Sequence, residues 1–297
     1  MKVTVLYGGP SAERKISLIS GNAVIEGLKS MGPTVFASDI SPTDLTGLDH
    51  PCDVIFPVLH GQFGESGELQ EILEARGLAF VGSGSKASKL GMNKVETKKV
   101  WEKAGLPTPK YAVITDKKVP FPGPCVVKAI DSGSSIDVYV CQDETQAPAA
   151  IEKIVDKHGR ALVEQFINGA ELSVSLLEEV PLAPMLIVPK RGFYDFEAKY
   201  NANDTEHKFD TGLPAAVIER CRELARKGNA AVGAKDLGRI DIMLTDKFEP
   251  FMLEINTLPG FTPKSIFPEA AAHAGIAFGP LVDRLVKRAH ARHRAAA

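Results

Sequence analysis

Arg239, Asp241, Glu254 and Asn256 are the residues of this chain whose types and spacing best suit chemistry. They sit in two apolar runs, Arg239-Ile240-Asp241-Ile242-Met243 and Phe251-Met252-Leu253-Glu254-Ile255-Asn256, joined by a polar, turn-like stretch from Leu244 to Pro250. Alternation along a strand predicts Arg239, Asp241 and Met243 on one face, and Met252, Glu254 and Asn256 on one face of the next. An antiparallel hairpin then gathers Asp241, Glu254 and Asn256, with Arg239 beside them. Two carboxylates and an amide oxygen are hard ligands that suit Mg2+ held jointly with substrate phosphates. Carboxylates within apolar strands also demand a compensating cation. The plainer reading is a hairpin whose solvent face carries these residues. The glycine-bearing loop Thr257 to Thr262, which begins where the ligands end, favours a site.

A site of this kind needs a scaffold, and 297 residues suffice for two or three subdomains with a large core. The net charge of −2 argues against an extended nucleic-acid or membrane surface. No apolar run reaches spanning length, and the opening Met1 to Tyr7 reads as a strand rather than a signal peptide. Cys52, Cys125, Cys141 and Cys221 are scattered without a CxxC, as expected for reduced thiols in a cytoplasmic protein. The sequon at Asn203 carries no weight without secretion.

From the N-terminus, a strand over 2–7, the turn Gly8-Gly9-Pro10-Ser11 and a helix over 13–31 open an α/β domain. The turn is not GxGxxG, so a dinucleotide reading fails on its fingerprint. Glu13 at that helix start either serves the helix dipole or faces a substrate ammonium. Strands are expected at 35–40 and 54–59, followed by the loop His60 to Gly67 and a helix over 68–76. A lysine-rich helix from Asn93 to Ala104 reads as a solvated face. Strand 125–128, the Gly/Ser loop 131–135 and strand 136–141 form a flap able to lie over phosphates through backbone N–H groups. No Walker A motif occurs, which excludes P-loop chemistry. A helix over 146–158 and strands at 161–167 and from Glu171 complete a second domain. The aromatic, polar segment 190–212 reads as a lid. A helix over 214–232 precedes the hairpin. The last helix, about 278–291, ends in Lys287, Arg288, Arg292 and Arg294, expected to cap and solvate it.

Taken together, these segments resemble the D-alanine–D-alanine ligases of the ATP-grasp superfamily over almost the whole chain. Gly8 to Arg14 and His60 to Gln70 resemble the family's substrate motifs. Lys128 with Gly133-Ser134-Ser135, and Phe193 to Tyr200, resemble its phosphate flap and lid. Gly238 to Asp241, and Leu253 to Thr257 with Pro259-Gly260, resemble its metal and oxyanion segments. The resemblance implies an α/β (α+β) ATP-grasp fold: a Rossmann-like N-terminal domain (1–90), a central domain (91–177) and a C-terminal domain (178–297) carrying the lid. It implies ATP-driven joining of two D-alanines through a D-alanyl phosphate, for peptidoglycan precursors. Asp241, Glu254 and Asn256 would hold two Mg2+, with Mn2+ a substitute and a monovalent cation such as K+ a further requirement to consider. Lys94, Lys128 and Lys199 would bind the ATP phosphates and Glu171 the ribose. Adenine would lie against Phe166, Phe193 and Leu253 along the strand from Glu164 to Ile167. Arg239 and the Gly260 N–H would form the oxyanion hole. Glu13, with His60 nearby, would fix the first D-alanine, and Ser265 with the Ile266 N–H the second. Glu13, Ser134 and Tyr200 would form a hydrogen-bonded set closing the site, and Tyr200 favours an amine acceptor. A homodimer is expected on the same ground.

The flap departs from the family pattern at Asp131 and Ser132, and at Asp137, where a glycine is more usual. Other readings remain an ATP-grasp ligase with a different acceptor and a catalytically silent nucleotide-binding protein on this fold. The retention of Arg239, Asp241, Glu254 and Lys199 argues against the second.

Overall fold

The structure is a computed structural model that describes residues 1–116, 118–133, 136–143, 145–189 and 205–296. Strand β1 (Lys2–Tyr7), helix α1 (Arg14–Ser30), β2 (Thr34–Asp39) and β3 (Val54–Pro57) open the chain as a parallel sheet in the order β2-β1-β3. The interior of β1 and all of β3 are buried, as a parallel sheet covered on both faces requires. The loop after β3 contains a helical turn, α2 (Gln62–Glu65), before α3 (Glu68–Ala75).

A further helix, α4 (Ser85–Met92), occupies a stretch for which the sequence pattern predicts no element. Its start is capped from afar: the Glu74 carboxylate accepts from Ser85 N at 2.9 Å and Ser85 Oγ at 2.6 Å. No local spacing reveals such a cap. Helix α5 (Lys94–Lys103) has an ordinary one, Asn93 Oδ1 accepting from Glu96 N at 3.0 Å.

The second sheet joins β4 (Tyr111–Ile114), β5 (Cys125–Lys128), β6 (Val138–Cys141) and β7 (Ala161–Gln165) as an antiparallel β4-β7-β5-β6. Helix α6 (Ala147–His158) buries Ala150, Ile151 and Ile154 against it.

The third sheet contains β8 (Gly169–Leu177), β9 (Val180–Pro181), β10 (Met185–Pro189), β11 (Thr205–Lys208), β12 (Leu237–Thr245) and β13 (Pro250–Asn256). Its order is β11-β10-β8-β12-β13, with β9 beside β8. Helix α7 (Ala215–Val232) and α5 share its core, with Trp101 Nε1 donating to Gly228 O at 3.1 Å. Helices α8 (Ile266–His273) and α9 (Phe278–Ala296) end the chain, and α9 returns to pack on α1 and the first sheet.

The basic end of α9 does more than solvate it. Arg292 donates to the fully buried Asp236 carboxylate at 2.8 Å and to the carbonyl oxygens of Phe80 and Gly82 at 2.9 and 3.2 Å. Arg288 pairs with Glu179 at 3.1 Å. Burial raises the Asp236 carboxyl above its usual value, with Arg292 opposing that rise. Arg292→Ala strands a buried carboxylate, so it should cost about 3 kcal/mol, seen calorimetrically as a melting point lowered by roughly 5–10 °C. A melting point unchanged would show that Asp236 needs no cation beyond the Gly82 N–H that also donates to it at 2.8 Å.

Candidate active site

The hairpin forms as expected in outline. Arg239 pairs with Asn256 and Asp241 with Glu254 across β12 and β13. The register then shifts, and Ile242 pairs with Met252. Leu253 is the extra residue of a β-bulge. The shift overturns the expectation that Met252 shares a face with Glu254 and Asn256: Met252 is fully buried in the core. Leu253 and Glu254 are instead both partly exposed at the site.

Asp241 is only 5% exposed, and both oxygens of its carboxylate accept hydrogen bonds. Arg239 donates Nε to Oδ1 at 2.9 Å and Nη2 to Oδ2 at 2.8 Å, and Ser173 Oγ donates to Oδ1 at 2.6 Å. Arg239 is thus a compensating cation for a carboxylate held in apolar strands. Ser173 escaped the sequence reading because only the β8–β12 register sets it opposite Asp241.

The lysine-rich helix is not a solvated face throughout. Lys94 and Lys98, one turn apart, are buried, whereas Lys99 and Lys103 are exposed. Lys94 Nζ lies 3.5 Å from Glu254 Oε2 and donates to Ser132 O at 2.5 Å, tying the flap's first turn to the hairpin. Lys128 and Lys98 each lie 2.5 Å from a different oxygen of Glu164. Burial would raise the Glu164 carboxyl, but Lys128 and then Lys98 pull it down to about 2. The spacing of four between Lys94 and Lys98 is the signal that could have found Lys98.

Near the start of α1, Glu13 is 5% exposed. The tight turn before it needs its glycines: a Cβ on Gly8, at φ +80°, would lie 2.1 Å from Asp39 Oδ1. His60 is 7% exposed, with Nδ1 3.8 Å from Glu65 Oε1. The other Glu65 oxygen accepts from Gly61 N at 2.6 Å. His60 Nε2 is buried and has no hydrogen-bond partner among the described residues. Burial lowers the imidazole's affinity for a proton, but Glu65 and Glu13 outweigh it, so His60 titrates above 6.5. A raised folded-state pKa stabilises the fold below pH 6.5, and that contribution is lost as pH rises through the raised value. Glu65→Gln should therefore cost more stability at about pH 5–6 than in alkaline buffer, by urea unfolding. An equal cost at both would remove Glu65 as the cause.

Gly260 approaches Ser265 closely, for a Cβ there would lie 2.9 Å from Ser265 Oγ. Ser265 Oγ accepts from Thr262 N at 3.0 Å and contacts Thr262 Oγ1 at 2.8 Å, which orients it at the head of α8. In the flap, Asp137 adopts φ +57° where the family more often has glycine. Lys157 at 2.7 Å and His158 at 2.8 Å hold its carboxylate there. The flap's Asp131 pairs with Arg160 at 3.1 Å and its carbonyl accepts from Gln62 at 3.2 Å.

Two cavities receive these residues. One, of about 400 Å3, is lined by Glu13, His60, Arg239, Asn256, Gly260, Ser265 and Ile266, with Glu65 besides. The other, of about 450 Å3, is lined by Lys128, Glu164, Phe166, Ile167, Glu171, Asp241 and Leu253. Lys94, Ser132 and Glu254 line both, so the cavities meet at the Lys94–Glu254 pair. Ser134, Phe193, Lys199 and Tyr200 lie outside the described residues. The second cavity joins apolar walls to lysines, which suits a nucleotide. The first joins buried acids to an arginine and a glycine loop, which suits a small zwitterion.

Known proteins show the family and the fold. Residues 88–287 match the D-ala D-ala ligase C-terminus family model and residues 37–83 the D-ala D-ala ligase N-terminus model. The chain is 38% identical to the D-alanine–D-alanine ligase of Pseudomonas entomophila, covering 95% of this chain and 91% of that one. It is likewise 38% identical to that of Neisseria meningitidis, covering 97% and 98%. Its fold superposes on the Bacillus anthracis D-alanine–D-alanine ligase complexed with ATP with a TM-score of 0.86, at 27% identity over 100% of this chain and 99% of that one. It superposes on the VanG D-Ala:D-Ser ligase of Enterococcus faecalis with a TM-score of 0.85, at 25% identity over 97% and 99%. By sequence and by fold, the chain belongs to the D-alanine–D-alanine ligase family, with the ATP-grasp architecture.

Proposed function

We propose that the protein joins two D-alanine molecules to D-alanyl-D-alanine at the expense of ATP, as a cytoplasmic ligase for peptidoglycan precursors. The meeting of the two cavities at Lys94 and Glu254 supports this reading, because a nucleotide in one and an amino acid in the other would bring terminal phosphate and carboxylate together. In the first step that carboxylate attacks the γ-phosphate, giving D-alanyl phosphate and ADP. Lys128 and Lys94 draw the phosphates inward, and adenine packs on Phe166, Ile167 and Leu253 with Glu171 toward the ribose. On the family resemblance, Lys199 and Phe193 are assigned to ATP as well.

The first D-alanine is held by its ammonium at Glu13, whose burial strengthens the pairing. The amine of the second D-alanine, its carboxylate held by Ser265 and the Ile266 N–H, attacks the acyl carbon, and phosphate leaves. Arg239 and the Gly260 N–H stabilise the negative charge that develops on the acyl oxygen. His60 stands between these groups, oriented by Glu65. On the family resemblance, Ser134 and Tyr200 are assigned to keeping water from the acyl phosphate.

Asp241 and Glu254, directly opposite in register, and Asn256, whose Oδ1 also accepts from Leu258 N at 2.9 Å, form an all-oxygen donor set that fits Mg2+ completed by phosphate oxygens. When bound there, Mg2+ neutralises charge on the phosphates. Family membership further supports a homodimer. Among the described residues no helix is long and apolar enough to cross a membrane.

The likeness to a D-Ala:D-Ser ligase supports a second reading, in which D-serine is the acceptor. Phosphate release from ATP and Mg2+ decides between them, with D-alanine alone or with D-alanine plus D-serine or D-lactate, and products identified by mass. The dipeptide D-alanyl-D-alanine as main product supports the first reading. A mixed product in preference to it supports the second. No release with any acceptor, while ATP still binds, overturns both.

A further inference from the structure

Lys98 is a buried cation that this mechanism leaves without a task. It is completely buried and lines neither cavity. Its Nζ lies 2.5 Å from Glu164 Oε1, donates to Thr108 Oγ1 at 2.5 Å and sits 5.6 Å from the centre of the Tyr111 ring. Thr108 Oγ1 passes the chain on to Met252 O at 2.9 Å. The other Glu164 oxygen lies 2.5 Å from Lys128 Nζ, and of the three charged groups only Lys128 and Glu164 reach the nucleotide cavity.

The charges of this cluster do not cancel. Two ammonium groups share the Glu164 carboxylate, so these three groups sum to one positive charge, which the carboxylates of Glu171 and Glu254 face across the cavity. Without Lys98, Glu164 would belong to Lys128 alone, and the pair would present no net charge to an incoming polyanion. In a site of low dielectric, one unit of charge changes anion affinity strongly.

We propose that Lys98 is a positioning residue for nucleotide binding: by occupying one oxygen of Glu164, it keeps the cluster positive and leaves the Lys128 charge available to the phosphates. This rests on the assignment of Lys128 to those phosphates. Glu164 then works as a spacer between two lysines, holding Lys128 in place without neutralising it. The competing role for Lys98 is a strut that joins α5 to β13 through Thr108.

The two roles differ when Glu164 is changed as well. Calorimetric titration of ATP with Mg2+ into the full chain tests them. K98M removes the charge and retains an apolar stem, and it should weaken ATP binding about tenfold. Adding E164Q restores the net positive charge, so the loss caused by K98M should be smaller in the E164Q background than in the parent, the E164Q single variant being measured alongside because Glu164 itself lines the cavity. K98Q, which removes the charge but keeps a polar head toward Thr108, should lose affinity as K98M does, and it serves in its place if K98M does not fold. Retained affinity in K98M or K98Q overturns the proposal, as does a K98M loss that is as large in the E164Q background as in the parent. A K128M chain that binds ATP like the parent overturns the Lys128 assignment itself, whatever the Lys98 variants show.

Discussion

Glu254→Gln should lower turnover by at least about 10^3-fold, which corresponds to about 4 kcal/mol of barrier. Glu254 faces Asp241 in register, lies 3.5 Å from Lys94 Nζ and lines both cavities. Phosphoryl transfer depends on charge neutralisation and positioning rather than on covalent chemistry by the protein. Glutamine preserves the shape of the side chain and removes the charge that would hold a divalent cation against the phosphates. The variant should stay folded, because Glu254 is partly exposed and amide replaces carboxylate without a cavity. The measurement is phosphate release at saturating ATP and D-alanine across a Mg2+ titration, with a melting curve as control. Turnover near that of the parent would remove Glu254 from the metal site.

Arg239→Met should lower kcat by about 10^2–10^3-fold, the cost of losing a donor to a developing oxyanion. Arg239 lines the same cavity as Gly260, the one proposed for the amino acid, and is fixed by its two-point contact with Asp241. Arg239→Lys should recover little, because an ammonium cannot reproduce the planar two-point contact. Steady-state kinetics in D-alanine and ATP distinguish the roles. A loss confined to the ATP KM would assign Arg239 to nucleotide binding instead. Asp241 loses both contacts in these variants, so their melting curves report how far Ser173 alone can hold it.

Most of the site was legible before the structure because its residues lie in short contiguous segments. Lys128 and Asn256 end strands and Lys94 opens a helix, where local chemistry marks them, whereas Asp241 and Glu254 stand out as carboxylates inside apolar strands. Strand positions followed from apolar runs bounded by glycine and proline, and the first strands, Cys125–Lys128 and the hairpin all stand where the pattern put them. Helix α4 was missed because Glu74, a residue of another helix, caps it.

What the sequence by itself determined was the set of residue types and their order along the chain, hence the family and the chemistry it can support. The tertiary structure alone decided which of them touch. The bulge at Leu253 turned Met252 into the core, because one inserted residue reverses the alternation that period-two reasoning assumes. The β8–β12 register placed Ser173 on Asp241, and helix packing turned Lys94 and Lys98 inward while Lys99 faces solvent. Arg292 reached Asp236 across 56 residues of chain. Contacts between distant segments depend on how whole elements pack, and local pattern carries no record of that.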